Sequence, residues 1–232
     1  MILKGKEKQE IEKKTAGEKA AEFVKDGMIV GLGTGSTVYY AIKKLGEMVN
    51  DGLKIKAVSS SKATTKLAES LNIELININD TVKIDLTIDG ADEVDHNLNG
   101  IKGGGGALLF EKITALLSSR NIWIADSSKL VNKLGKFPLP VEVIPFGSKR
   151  VFEILNSTGL NPVLRIRDGK NYLTDSGNYI FDLHTGGIND PEGLDKELKL
   201  ISGVVETGLF TGIADIAVVS ENESVKILKR EK

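Results

Sequence analysis

A chain of 232 residues, 41% hydrophobic and 27% charged, has the composition of a globular protein long enough to bury a sizeable core. Its 31 Lys and Arg nearly cancel its 32 Asp and Glu, so no broad positive field favours nucleic acid or an anionic membrane, and an anionic ligand must be held locally. The lack of cysteine excludes disulfides, thiol nucleophiles and thiolate metal sites, and suits a reducing compartment.

The opening stretch MILKGKEKQEIEKK has no apolar signal core, and no apolar run approaches the roughly 18 residues of a membrane span, so a cytoplasmic location is expected. Apolar positions at Ile11, Ala16, Ala20, Ala21 and Val24 predict an amphipathic helix over 8–25. MIVGLG (28–33) predicts a buried strand ending in a glycine turn. Val38, Ile42, Leu45 and Met48 then form one stripe of a helix over 36–49. A strand at 54–60, a helix at 62–71, strands at 73–76 and 83–92, a helix at 107–119 and the strand NIWIAD (121–126) continue the alternation. That spacing argues for a parallel sheet with crossover helices.

After Lys129 the pattern changes. KFPLPVEVIPF (136–146) holds three of the five prolines, residues poorly tolerated in central strands, and so marks a boundary. A helix at 148–157, a strand at 161–167, a second strand interrupted by DSGN, a helix at 191–198 and LISGVVETGLF describe a small inserted α+β domain. IADIAVVS (213–220) and SVKILKR return the chain to the first domain. The expected division is a large α/β domain of residues 1–130 and 206–232 and a small one of 131–205.

Three motifs carry candidate chemistry. GLGTGST (31–37) lies between a strand and a helix, but it lacks the third glycine of a dinucleotide fingerprint and the Gly-Lys-Ser/Thr ending of a P-loop. The second strand ends in Ser59, Ser60 and Ser61, with no acid for a ribose hydroxyl. NAD is therefore disfavoured, while Lys62 leaves NADP open. Glycine amides at a helix N-terminus, with Thr34, Ser36 and Thr37, suit phosphate oxygens, although a capped tight turn explains the same residues.

DGADEVD (89–95) ends a predicted strand and sets Asp89 and Asp92 at the sheet edge where open α/β sheets bind ligands. Asp89, Asp92, Glu93 and Asp95 could also be metal donors or a solvated loop, but their spacing is not that of an EF-hand. IKGGGGALLFEK (101–112) sets Lys102 and Gly103 to Gly106 before a helix carrying Glu111. Ala107, Leu108, Thr114 and Ala115 surround that carboxylate at helical spacing, and burial of this kind raises a carboxyl pKa toward the range of a general base. The competing reading makes Glu111 and Lys112 the helix's one solvated stripe. Lys129 adds a cation at the same sheet edge, and His96 and His184 fit no hydrolase or zinc pattern.

In order, GLGTGST, DGADEVD, IKGGGGALLFEK, IADSSK, LGKFPLPVEVIPF, GNYIFD and GVVETGLF closely resemble the type A ribose-5-phosphate isomerase family, from about Lys13 to Phe210. The resemblance implies a Rossmann-like α/β domain with an inserted α+β domain of ferredoxin-like form. It also implies interconversion of ribose 5-phosphate and ribulose 5-phosphate in the non-oxidative pentose phosphate pathway, with no metal or organic cofactor. By position, Glu111 would move the proton between C1 and C2. Lys102 and the amides of Gly103, Gly104 and Gly105 would stabilise the oxyanion, and Asp89 and Asp92, with Gly90 and Ala91 between them, would handle hydroxyl protons and ring opening. Thr34, Gly35, Ser36, Thr37 and Lys129 would hold the phosphate, with Lys13 a further contact. Family members are homodimers or homotetramers that act on a small molecule, without nucleic acid or membrane. A sugar-phosphate-sensing regulator of the same fold and an NADP-dependent oxidoreductase are the alternatives.

Overall fold

The computed structural model describes residues 5–222 and 224–231; residues 1–4, 223 and 232 of the expected large domain, the first four of them opening the stretch weighed for a signal core, lie outside the described residues. The chain divides into two compact units, Met1–Ala91 with Phe110–Leu130 and Ile213–Lys232, and Asp92–Leu109 with Val131–Gly212. The second unit therefore takes in 92–109 and 206–212, beyond the 131–205 expected from the sequence.

In chain order the elements begin with α1 (Gly5–Ala21), β1 (Ile29–Leu32), α2 (Ser36–Asn50), β2 (Lys56–Ser59), α3 (Lys62–Ser70), β3 (Glu74–Leu75) and β4 (Leu86–Gly90). Next come β5 (Glu93–Val94), β6 (Gly100–Ile101), α4 (Leu108–Leu116), β7 (Asn121–Asp126), β8 (Leu139–Val143), α5 (Ser148–Ser157) and β9 (Pro162–Leu164). The chain continues with β10 (Ile166–Arg167), β11 (Lys170–Asn171), β12 (Tyr179–Leu183), α6 (Pro191–Lys199), β13 (Val204–Thr207), β14 (Leu209–Phe210), β15 (Ile216–Glu221) and β16 (Ser224–Lys229).

The first unit is built on a seven-stranded sheet in the order β16-β15-β7-β4-β1-β2-β3, parallel except for β16. From β3 to β15 this is the doubly wound order, and its direction reverses between β1 and β4. Strands buried on both faces read as continuous apolar runs: Val30, Leu32, Ile88, Ile122, Ile124 and Val218 join Ala16 and Ala20 of α1 and Val38, Ile42 and Leu45 of α2 in one core. Each of these Val, Leu and Ile side chains, fully buried, contributes roughly 1.5–3 kcal/mol. No helix among the described residues is long and apolar enough to cross a membrane.

The second unit holds an antiparallel sheet in the order β13-β8-β12-β9, with α5 after β8 and α6 after β12, the ferredoxin-like βαββαβ arrangement. Leu139, Val141 and Val143 of β8, Phe181 and Leu183 of β12, Val151 and Leu155 of α5 and Leu198 of α6 form its core. Three short strands, β14-β6-β5, make a separate ribbon. Pro140 lies inside β8, a central strand, against the sequence expectation. Its carbonyl accepts the Gly208 N–H at 2.7 Å, so its donorless nitrogen faces the same side, just past the end of β13, and no bond to β12 is lost.

β8 also buries Glu142, whose Oε1 accepts the Thr174 hydroxyl and the Asn178 amide, each at 2.9 Å. This clamp holds the Thr174–Asn178 turn that interrupts the second strand expected from the sequence. The other oxygen, Oε2, has no hydrogen-bond partner among the described residues. Burial raises the Glu142 carboxyl above its ordinary range, against the pull of Asn178 and Thr174 and with a further push from Glu206. A raised pKa in the folded state contributes stability that is complete below the unfolded pKa and is lost as pH rises through the folded one. Glu142→Gln keeps an acceptor and removes the charge. It is expected to raise Tm by roughly 2–4 °C at pH 8, about 1 kcal/mol, and to change it little at pH 4, as thermal melts at the two pH values would show.

Candidate active site

In the first unit, the turn after β1 and the end of β4 meet where the strand order reverses. The Gly33 N–H donates to the Ile88 carbonyl at 2.9 Å, and Asp89 Oδ1 accepts the Thr34 and Gly90 N–H groups at 3.1 and 2.8 Å. Asp89 is buried. A Cβ on Gly33 would overlap its carboxylate, so glycine is required there for close approach. Thr34 has a scaffold role, since its hydroxyl lies within 3.3 Å of those of Ser60, Ser61 and Thr64, and Thr64 in turn donates to the Gly33 carbonyl. The serine run after β2 therefore shapes the turn, a role not legible in the sequence.

Gly35 and Ser36 are exposed and Thr37 is half-buried at the start of α2. Gly35 offers no side-chain cap and the first turn carries no acid, so neither competes with an incoming anion. Lys13 on α1 is held by Glu10 Oε1 at 2.7 Å, while the Tyr40 hydroxyl of α2 donates to Glu10 Oε2 at 2.8 Å. The hydrogen bonds from Lys13 and Tyr40 keep the Glu10 carboxyl below its usual range.

Half-buried Lys129 ends a short 3-10 turn, Ser127–Lys129, that follows β7. Asp126 caps the turn through the Ser128 N–H at 3.1 Å, and the buried Glu12 of α1 braces it, accepting the Ser127 N–H at 3.1 Å and hydroxyl at 2.9 Å. Glu12 also accepts the Asn222 N–H at 3.1 Å. Burial pushes the Glu12 carboxyl up, but these donors and Lys8 outweigh it and hold the group below its ordinary value. Neither Glu12 nor Glu10 stands out in the sequence, where both look like solvated helix charges.

α4 reverses the usual amphipathic pattern. Its two charged residues, Glu111 and Lys112, are 4% and 3% exposed, whereas Phe110, Ile113 and Leu116 are 37%, 46% and 70% exposed. The solvated-stripe reading of Glu111 and Lys112 therefore fails. Placing two ionisable groups inward costs several kcal/mol that the surrounding protein must offset, and this inversion is the feature that sets the helix apart.

In the second unit, Asp92 stands before β5, and its Oδ2 accepts the Gly104 N–H at 2.7 Å. Two of the acids weighed as metal donors have structural duties. Glu93 accepts the Gly135 and Phe137 N–H groups, both at 2.7 Å, and Asp95 closes a turn by accepting those of Asn97 and Asn99 at 2.9 and 2.8 Å. Among the described residues, no group of three or more His, Asp or Glu could hold a metal ion.

Lys102 is buried, its N–H donating to the Gly208 carbonyl at 2.9 Å and its Nζ lying 5.3 Å from the centre of the Phe210 ring. Gly103 follows with φ of 103°, a left-handed conformation that favours glycine. Three residues absent from the sequence reading tie this loop down. Arg165 Nη1 donates to the Gly103 and Gly104 carbonyls at 2.8 and 3.2 Å, Tyr172 donates to the Gly105 carbonyl at 3.1 Å, and Asp182 grips the Arg165 fork. The only local hint is Arg165 in an apolar strand, NPVLRIR.

The chain as a whole is similar to known proteins. Residues 56–224 match the family model of ribose 5-phosphate isomerase A (phosphoriboisomerase A). Ribose-5-phosphate isomerase A of Listeria monocytogenes is 52% identical over 94% of this chain and 99% of its own. A solved D-ribose-5-phosphate isomerase in complex with phospho-erythronic acid has a TM-score of 0.93 at 42% identity and covers 96% of this chain and 99% of that one. The ribose 5-phosphate isomerase of Plasmodium falciparum has a TM-score of 0.92 at 36% identity, over 96% and 100%. With sequence and fold matched along nearly the whole length, the chain belongs to the ribose 5-phosphate isomerase A family.

Proposed function

We propose that Glu111 is the base with which this chain interconverts D-ribose 5-phosphate and D-ribulose 5-phosphate. The observation that supports it most is the inward placement of Glu111 on a helix whose outward face is apolar. The Glu111 carboxylate takes the C2 proton of the open-chain aldose, leaving an enediolate, and returns a proton to C1 to give the ketose. Lys102 and the amides of Gly103 and Gly105 stabilise the negative charge that develops on oxygen, while the Gly104 amide expected to join them is engaged by Asp92 Oδ2 and holds that carboxylate instead; such donors act most strongly when they are preorganised and dry. Asp89, fixed by the Thr34 and Gly90 N–H groups, and Asp92, fixed by that of Gly104, handle the hydroxyl protons and ring opening around Gly90 and Ala91.

The amides of Gly35, Ser36 and Thr37 at the start of α2, with Lys129 and Lys13, bind the phosphate, and Thr34 keeps their turn in shape. Lys129→Ala is expected to raise KM by roughly 10-fold with kcat within about 3-fold, because removing ground-state and transition-state binding equally leaves the chemical step unchanged; steady-state kinetics would separate the two constants. We also propose a cytoplasmic homodimer or homotetramer that works without metal or organic cofactor. The exposed Phe110, Ile113 and Leu116 of α4 support self-association, which the mass in solution tests.

The test of the activity is ketose formation from ribose 5-phosphate by the purified chain, with and without a chelator. No ribulose 5-phosphate would overturn the reading, and loss of activity on chelation would overturn its cofactor-free part.

A further inference from the structure

In a planar trans peptide, the C=O of one residue and the N–H of the next point in opposite directions. Three successive peptides of the glycine loop have their carbonyls held by side chains of the second unit: Gly103 and Gly104 by Arg165, and Gly105 by Tyr172. The paired N–H groups are thereby aimed the other way. That of Gly104 reaches Asp92 Oδ2 at 2.7 Å, that of Gly106 turns back to the Gly103 carbonyl at 2.9 Å, and that of Gly105 lies opposite the carbonyl bound by Arg165.

Arg165 is itself fixed. Its Nε donates to Asp182 Oδ2 at 2.9 Å, its Nη2 pairs with Oδ1, and its backbone N–H and C=O bond to Ile180 at 2.8 Å and Tyr172 at 2.9 Å. Two guanidinium groups lie over the Tyr172 ring, that of Arg165 at 5.8 Å and that of Arg167 at 4.4 Å from its centre. Five donors in a rigid fork let one side chain hold a carboxylate and two carbonyls together, which lysine cannot do. A cation on a carbonyl also polarises the peptide and strengthens its N–H as a donor.

We infer that Arg165 is a positioning residue for the reaction: it fixes the direction of the loop amides, that of Gly105 above all, and so sets the donors that meet the enediolate oxygens. This rests on the reading above, in which the loop and Lys102 face the reacting atoms. Glycine has the most backbone freedom to lose on folding, so a run of four needs such outside anchors to be preorganised.

The test compares Arg165→Met, Arg165→Lys, Tyr172→Phe and Lys102→Met in kcat, KM, thermal melting and inhibition by two probes. Phospho-erythronic acid carries a planar carboxylate that stands in for the enediolate oxygens; inorganic phosphate reports only the phosphate end. Arg165→Met is expected to lower kcat by about 10–100-fold, as displacement of a reacting group by about 1 Å does. KM and inhibition by phosphate should stay within about 3-fold while phospho-erythronic acid weakens by about 10-fold. Arg165→Lys should recover part of kcat. Tyr172→Phe, which removes a single anchor, should lower kcat by about 3-fold and keeps the inference testable if Arg165→Met does not fold. A purely structural role would weaken both inhibitors alike or neither, and that result overturns the inference. If Lys102→Met is impaired while Arg165→Met and Tyr172→Phe act like the parent, only the positioning role fails; if Lys102→Met is also unaffected, the reading of the loop fails with it.

Discussion

Glu111→Gln is expected to lower kcat by about 100-fold or more, the usual size of a general-base effect, while phospho-erythronic acid binds with affinity within about 3-fold of the parent. The substitution preserves shape and a carbonyl acceptor and removes only basicity. A residue that is 4% exposed on α4 has no solvent substitute waiting beside it, so water does not easily take over the proton transfer. A general base acts in the transition state and contributes little to ground-state binding, so with Glu111 in the proposed role the loss should appear equally in kcat and kcat/KM. Steady-state assays with ribose 5-phosphate, alongside a titration with phospho-erythronic acid, separate these quantities. Turnover within a few-fold of the parent would mean that another group moves the proton.

Lys102→Met should cost a comparable amount, about 100–1,000-fold in kcat, the range seen when one oxyanion donor is removed. Methionine approximates the stem of lysine, so the change isolates the charge. The Lys102 backbone is tied to Gly208 and its ammonium lies over the Phe210 ring, an arrangement that fixes the cation before substrate arrives. Preorganised charge needs no reorganisation when the enediolate forms, and in a dry site it acts through a low effective dielectric. The expected signature is weaker binding of phospho-erythronic acid with unchanged inhibition by inorganic phosphate. Equal weakening of both would place Lys102 at the phosphate instead. A thermal melt run with each variant checks that the fold is intact.

Much of the first unit was legible because its signals are local. The helical stripe of Val38, Ile42 and Leu45, the apolar runs of β1, β4 and β7 and the glycine turn at 31–37 follow from side-chain period and backbone freedom within about ten residues. The parallel alternation followed in turn, and with it the position of Asp89 at the strand end where the order reverses.

Two features were not legible and a third stayed undecided, each for its own reason. Whether Pro140 breaks a strand depends on which neighbour its nitrogen faces, and that neighbour is more than sixty residues away in β13 and Gly208. The anchors of the glycine loop, Arg165 and Tyr172, also lie about sixty residues downstream, beyond the reach of any local pattern. For α4 the sequence leaves two readings open, a buried Glu111 on an apolar face or a solvated stripe with Lys112, because the outward-charge rule is a statement about helices that face water, and here the charged side faces inward.

The sequence alone determined which chemical groups exist, their order, and the local turns that glycine, serine and aspartate permit, because these depend on neighbours along the chain. Tertiary structure decided which carbonyls Arg165 holds, which acids serve as clamps, as Glu12, Glu93 and Asp95 do, and that Glu111 points inward. Those outcomes depend on long-range pairing and burial, whose free energy is set by whatever surface the fold brings alongside.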